Sequence, residues 1–363
     1  MKIGILTFPN SPSFGASLQM YALFKALQNM EVDVEVINYI NQFMKAQRHI
    51  NSKKSLKEYI KHYVASVLNF HGSNEFKKFE REVKLYPTKP MHDPEQLRKI
   101  ADRYDYLICG SDQVWNPFIT NNDVSFFLDF CNNNSKKIAY APSFGLNTLP
   151  VEYKNIYRHE LKCFHRLSAR EEAGQNIISE LIGLKVPLVL DPSMLLKKDE
   201  WRKCIKRVNG LPPKYIAKFI FNHDVQVENF INDLSRERGI PVIVVGGNSF
   251  SFLKGIKSTG AIGPREWLYT IMNAESVVTD SFHGAAFSII FEKDLYISTA
   301  SSTNSRLVTL SKLFGLENRI IQKNIKKEIT KAIDYSSVKK IMERERNASL
   351  NYLREAININ YGE

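Results

Sequence analysis

The sequence predicts an α/β protein of two doubly wound domains that face each other across a cleft, and three observations carry this. Short apolar strand-like runs alternate with amphipathic helix-like runs, the pattern of parallel strands joined by right-handed helical crossovers. At 363 residues the chain exceeds the size of one usual hydrophobic core. The alternation also stops and restarts around Gly210-Leu211-Pro212-Pro213, a loop signal that separates two sets of elements. Each set reads as a Rossmann-like domain, the first over 1–195 and the second over 213–335.

In the first set, Ile3 to Phe8 and Val34 to Tyr39 are strands that flank a helix over Ala16 to Met30. The strands continue with Tyr104 to Cys109, Lys137 to Ala141, Arg166 to Ala169 and Pro187 to Leu190. Helices are expected over Tyr153 to Phe164 and Glu171 to Ile182. A long basic stretch, about 42–86, breaks the rhythm and reads as a helical insertion over the first domain. In the second set the strands are Tyr215 to Phe221, Pro241 to Gly246, Ser276 to Thr279 and Leu295 to Ser298. Its helices are Val225 to Arg238, Arg265 to Asn273, Phe282 to Phe291 and Asn304 to Phe314. The last helix, within 336–363, is read as returning to the first domain.

With 44% apolar and 24% charged residues, the composition is that of an ordinary globular protein. No run of 18 or more uncharged apolar residues exists, so no membrane-spanning helix is expected. Met1 to Phe8 is too short for a signal peptide and reads as the first strand. The four cysteines (Cys109, Cys131, Cys163, Cys204) lie far apart without a Cys-x-x-Cys pair. That argues against a metal site and a disulfide framework, and for a reducing cytoplasm. Fifty Lys plus Arg against thirty-eight Asp plus Glu give +12, a surplus that favours anionic partners. The basic residues are spread over helical stretches, none of which looks like a compact nucleic-acid reader with interleaved aromatics. No nucleic acid is expected; an anionic membrane surface or a polyanionic substrate is.

Ligands of open parallel sheets bind at the carboxyl ends of the strands, which singles out five loops. The first ends in Ser13-Phe14-Gly15, where Gly15 allows close backbone approach or simply makes a turn. The second is Gly110-Ser111-Asp112-Gln113-Val114-Trp115-Asn116-Pro117. There Asp112 and Asn116 can hydrogen-bond sugar hydroxyls while Trp115 covers a sugar face; alternatively Asp112 caps a helix and Trp115 is core. The third, Ser143-Phe144-Gly145, offers small residues for backbone contact through Ser143. In the fourth, Arg170 stands at a strand end, suited to bidentate capture of carboxylate or phosphate or to pairing with nearby acids. The fifth is Thr279-Asp280-Ser281-Phe282-His283-Gly284, a polar hexapeptide between a buried strand and a buried helix. A helix start there favours an anion, and His283 is a titratable group beside it. Asp280 could accept from His283 and favour its protonated form, or cap the helix. Arg306, after the next strand, could bring a second cation to the same rim.

Together these motifs resemble the polysaccharide pyruvyl transferase family. The resemblance rests on Phe14-Gly15-Ala16-Ser17-Leu18-Gln19, the Gly110 to Pro117 loop, Ala141-Pro142-Ser143-Phe144-Gly145, Ser168-x-Arg170-Glu171 and Asp191-Pro192. It ends with Thr279 to Gly284 and Ser305-Arg306, so it covers about residues 1 to 320 in order. The resemblance implies a two-domain fold similar to GT-B glycosyltransferases, with no cofactor. It implies transfer of the carboxyethylidene group of phosphoenolpyruvate to two hydroxyls of one sugar, with release of phosphate. The second domain would take phosphoenolpyruvate through Ser281, Phe282, His283 and Arg306, joined by Arg170. The first would take the acceptor through Gly15, Asp112, Trp115, Asn116 and Ser143. His283 would be the acid or the base, and Asp112 a second catalytic candidate. The acceptor would be a lipid diphosphate-linked saccharide met by a cytoplasmic enzyme at the inner face of the membrane. Two alternatives share the architecture: a nucleotide-sugar glycosyltransferase and a non-catalytic sugar-binding relative.

Overall fold

Strand β1 (Lys2–Leu6) has Ile3, Ile5 and Leu6 fully buried, as a strand must when both faces of its sheet are covered. It pairs in parallel with β2 (Asp33–Tyr39) on one side. Beyond β2 lies β3 (Leu85–Met91), and on the other side of β1 come β4 (Tyr106–Cys109) and β5 (Lys137–Ala139). The order β3-β2-β1-β4-β5 is the doubly wound one. A computed structural model supplies these observations, and it describes residues 1–50, 72–246, 257–299, 305–321 and 332–359. The second sheet is again parallel, with β6 (Ile216–Phe219), β7 (Val242–Val244), β8 (Ser276–Thr279) and β9 (Asp294–Ile297) in the order β7-β6-β8-β9.

The chain divides into two compact units. The first comprises the described residues within 1–54, 80–196 and 344–363, and the second those within 55–79 and 197–343. In the first, the end of the helix Tyr335–Ala356 packs on the sheet. Ser349 Oγ accepts from Leu190 N, and Tyr352 donates to the Ala139 carbonyl, both at 2.9 Å. In the second, the helix Phe282–Ile290 is buried along its whole length. Its Phe287 ring sits 4.9 Å from Trp201 and 5.4 Å from Trp267. Each such fully buried large side chain contributes roughly 1.5–3 kcal/mol of transfer free energy.

Three readings of the sequence need correction. Arg166–Ala169 and Pro187–Leu190 are not strands among the described residues. They continue the sheet direction only through the single parallel bridges Ile138↔Arg166 and Ala169↔Leu188. Strand β3 was not expected, because Pro87 and Pro90 each remove a ladder donor; its place at the sheet edge tolerates them. The expected insertion, 42–86, lies partly outside the described residues. Its helix Gln42–Ile50 groups with the first unit, and residues 72–79 group with the second. An ion cluster joins them to it: the partly exposed Lys206 reaches two buried carboxylates, Glu75 at 2.9 Å and Glu266 at 3.1 Å. A side chain on Gly263 would stand 2.3 Å from the Glu75 Cβ, so only glycine lets the helix approach.

A buried carboxylate sits inside the first sheet. Glu35 on β2 is 1% exposed. It accepts from Arg103 Nε and Nη2 at 3.0 Å each and pairs with Lys2 at 2.9 Å and Lys84 at 3.1 Å. Burial pushes its carboxyl up, but the hydrogen bonds from Arg103, Lys2 and Lys84 outweigh that and hold it down from 4.5 to about 2. A depressed carboxyl contributes stability that is complete above pH 4.5 and is lost as pH falls toward 2. That shift corresponds to about 3 kcal/mol, which the partly exposed cations reduce to about 1–2 kcal/mol. Glu35→Gln should therefore unfold at lower urea than wild type at pH 7, and the gap should close by pH 2–3. A gap that stays constant across that range would contradict this account.

Candidate functional site

Doubly wound sheets bind ligands where the strand order reverses direction, at the carboxyl ends of the strands. In the first sheet that point lies between β1 and β4, and in the second between β6 and β8. The Gly110–Asn116 loop and the Thr279 hexapeptide follow β4 and β8, so both expected motifs stand at a switch point.

In the first unit the rim is backbone-strained. Asn10 after β1, Asp112 after β4 and Ala141 after β5 have φ of +54°, +80° and +54°, a left-handed region that costs non-glycine residues of order 1–3 kcal/mol. Such strain persists only where surrounding contacts impose it. Here the Asp112 carbonyl accepts from Ser143 N at 2.9 Å, and its carboxylate accepts from Gln113 N at 2.8 Å. Beneath lies a buried polar network. Arg170 donates to Asp191 at 2.8 Å and lies 3.4 Å from a Glu171 oxygen; Ser111 donates to Asp191 at 3.1 Å. Ser143 donates to Glu171 at 2.6 Å, and Asp191 caps the turn Pro192–Met194 through Ser193 N and Oγ.

Several residues expected to touch ligand are committed to this framework instead. The Trp115 side chain is fully buried, stacked on Phe127 at 5.1 Å with its Nε1 donating to the Phe126 carbonyl. It is core and covers no sugar. Asn116 caps the short helix Pro117–Thr120 through Phe118 N and donates to Gln113, leaving it 6% exposed. Gly15 is buried in the first turn of the helix Phe14–Gln28, which begins two residues earlier than expected because Ser13 is its cap. Ser143 is fully buried on Glu171. The Arg170 side chain is 1% exposed against two carboxylates, so it is the centre of an ion triad rather than a surface clamp. Asp112 alone of the acceptor-side set stays half-buried with its carboxylate at the rim.

In the second unit the hexapeptide is organised by Thr279 and Gly284, its two ends, to which the sequence reading gave no role. The Thr279 hydroxyl donates to the Phe219 carbonyl at 2.7 Å and accepts from Ser281 N at 3.0 Å, fixing the exit from β8. Gly284 exists because of that hydroxyl: a Cβ there would lie 2.3 Å from it. Ser281 caps the helix through Gly284 N, and its neighbour Phe282 opens the helix at 8% exposure. His283, also 8% exposed, sits in the first turn with its ring edge-on to Phe282 at 5.3 Å. Asp280 does not pair with His283. Its carboxylate accepts from Phe221 N, Asn222 N and Asn222 Nδ2, each at 2.9 Å. Arg306 is half-buried in the first turn of the helix Ser305–Leu313. The helix start at Ser281, with its positive dipole end and an imidazole one residue inside, is an arrangement that can hold an anion and move a proton. Among the described residues no cluster of His, Cys, Asp and Glu is suited to a metal, and no helix is long and apolar enough to cross a membrane.

Comparison with solved structures finds the same architecture. A UDP-GlcNAc 2-epimerase from Methanocaldococcus jannaschii is similar over 96% of this chain and 93% of its own, with 14% identity and a TM-score of 0.52. The enzyme from Neisseria meningitidis, solved bound to UDP-GlcNAc, is similar over 99% and 100%, with 10% identity and a TM-score of 0.51. At such identities the likeness shows the fold alone, which is of the GT-B type with two Rossmann-like sets of parallel strands. No curated protein matches the chain. A family model described as polysaccharide pyruvyl transferase matches residues 14–294. Since that match runs from the first helix to the start of β9 and takes in the rim loops after β4, β5 and β8, the chain belongs to the polysaccharide pyruvyl transferase family.

Proposed function

We propose that the protein transfers the carboxyethylidene group of phosphoenolpyruvate onto two hydroxyls of one sugar in a cell-surface polysaccharide precursor. The observation that carries this reading is the Ser281–His283 helix start at the switch point of the second sheet, inside the span of the family match. Phosphoenolpyruvate brings a carboxylate and a phosphate, and that rim combines a helix N-terminus with His283, Ser281 and Phe282. Arg306 supplies a further cation. Protonation of the donor's methylene makes C2 electrophilic, a sugar hydroxyl attacks, phosphate leaves, and a second hydroxyl closes the ketal. Of the two hydroxyl protons, one ends on the new methyl group and the other on the departing phosphate. His283 is the group that relays them, and Asp112 is the acceptor-side partner for a sugar hydroxyl. The +12 charge suits a lipid diphosphate-linked acceptor and an anionic membrane face, with the enzyme in the cytoplasm and no cofactor.

The reading is tested by thermal unfolding with phosphoenolpyruvate and, separately, with UDP- and GDP-sugars. A ligand at 100 times its dissociation constant stabilises the folded state by about 2.7 kcal/mol. Phosphoenolpyruvate is expected to give such a shift and the nucleotide sugars none. The reverse pattern would replace pyruvyl transfer with glycosyl transfer on the same fold. Binding of phosphoenolpyruvate with no phosphate release on any saccharide would leave a non-catalytic relative.

A further inference from the structure

The loop after β6, at the switch point of the second sheet, displays an aromatic ring that the reading above does not use. Phe221 is 71% exposed, and Val225 beside it 64%. Two restraints hold the ring in water. The Asp280 carboxylate fixes the backbone of Phe221 and Asn222 through its three 2.9 Å bonds. The ring itself leans edge-on against Phe219 at 5.0 Å, and Phe219 is packed in turn on Trp267 at 5.4 Å. Backbone and ring are thus oriented before any ligand arrives, so little ordering entropy remains to be lost on binding.

We propose that Phe221 is the platform for the pyranose ring of the acceptor and that Asp280 is the positioning residue that presents it; this rests on the pyruvyl-transfer reading. Chemistry selects the occupant. Phosphoenolpyruvate is three carbons bearing two anionic groups and has no apolar face to lay on a ring. A pyranose has one, its C–H face, and its hydroxyls must reach C2 of the donor. Ser281 follows directly on the carboxylate that holds Phe221, and His283 comes two residues later. A nucleobase would also stack, but its edge must be read by polar groups, and two of those beside Phe221 are engaged. Asn222 Nδ2 is given to Asp280, and Asp224 caps the helix Val225–Arg238 through Gln226 N at 2.7 Å.

The test compares wild type with Phe221→Ala, Phe221→Tyr, Asp280→Asn and the double variant Phe221→Ala/Asp280→Asn. Phosphate release from phosphoenolpyruvate is measured with methyl glycosides of galactose, glucose, mannose and N-acetylglucosamine, and NMR titration follows binding of the same glycosides. Phe221 is exposed, so its replacement leaves the core untouched. Phe221→Ala is expected to raise the glycoside KM and dissociation constant about tenfold, the upper range for one aromatic contact. The KM for phosphoenolpyruvate should move less than twofold, and Phe221→Tyr should restore glycoside binding. The double variant should be no worse than Phe221→Ala alone. Equal glycoside affinity in wild type and Phe221→Ala, or no glycoside binding by wild type, overturns the platform. An Asp280→Asn loss that adds fully to that of Phe221→Ala overturns the positioning role. Absence of phosphate release in wild type sinks the pyruvyl-transfer reading instead, and the binding comparison still decides the platform.

Discussion

Arg170→Met is expected to lower the unfolding free energy by about 3–5 kcal/mol, the range for removing one partner of a buried ion pair. The side chains of Arg170, Glu171 and Asp191 are 1%, 1% and 0% exposed, so water cannot replace the guanidinium. Without it two carboxylates stay buried, held by Ser143 on Glu171 and by Ser111 and Ser193 on Asp191. The cheapest relief is protonation, which raises their folded pKa. By linkage the variant should therefore recover part of its stability in acid and lose more of it as pH rises. Urea unfolding at pH 5 and pH 8 measures both effects. Arg170→Lys, which keeps the charge but not the planar fork, should lose less. If Arg170 were instead a surface clamp for the donor, Arg170→Met would weaken phosphoenolpyruvate binding and leave unfolding nearly unchanged. That outcome would overturn the triad as the source of stability.

The strand–helix alternation was legible because parallel strands covered on both faces read as continuous apolar runs. Ile3 to Leu6 is such a run, and Val277-Val278 within Ser276 to Thr279 is a shorter one; both strands are buried. β3 was not legible, since an edge strand with two prolines carries the marks of a loop. The positions of the rim motifs followed from the same alternation, but the roles within them did not. Nothing local says that the Trp115 indole turns inward onto Phe127, or that the Asn116 amide is consumed as a cap. The partners of Asp280 lie 58 and 59 residues earlier in the chain. A local reading therefore offered the carboxylate only His283 or the helix start. The grouping of residues 72–79 with the second unit was hidden for the same reason. It depends on Lys206 meeting two glutamates far apart in sequence. Thr279 and Gly284 were named as the ends of the hexapeptide, but what their spacing signals was not read. A hydroxyl five residues before a glycine, across a strand-to-helix turn, marks a helix pulled tight against the strand end.

His283→Asn is expected to slow phosphate release from phosphoenolpyruvate by about 10²–10⁴, the usual contribution of a positioned acid or base. Asparagine is close to the imidazole in size and keeps hydrogen-bonding capacity, but it cannot exchange a proton with substrate. The residue sits in the first turn of a helix buried along its whole length, and that helix is tied to β8 through the Thr279 hydroxyl. The ring stands edge-on to Phe282 at 5.3 Å, while the Asp280 carboxylate is held by Phe221 and Asn222. This makes the substitution a test of chemistry more than of architecture: the thermal shift given by phosphoenolpyruvate should survive in the variant while turnover falls. A loss of kcat with little change in the phosphoenolpyruvate KM would mark an interaction made in the transition state. Loss of the phosphoenolpyruvate-induced shift alongside unchanged turnover at saturation would assign His283 to binding only. Full activity in His283→Asn would remove it from the mechanism. Asp112, half-buried on its strained rim, would then be the remaining candidate to activate the sugar hydroxyl.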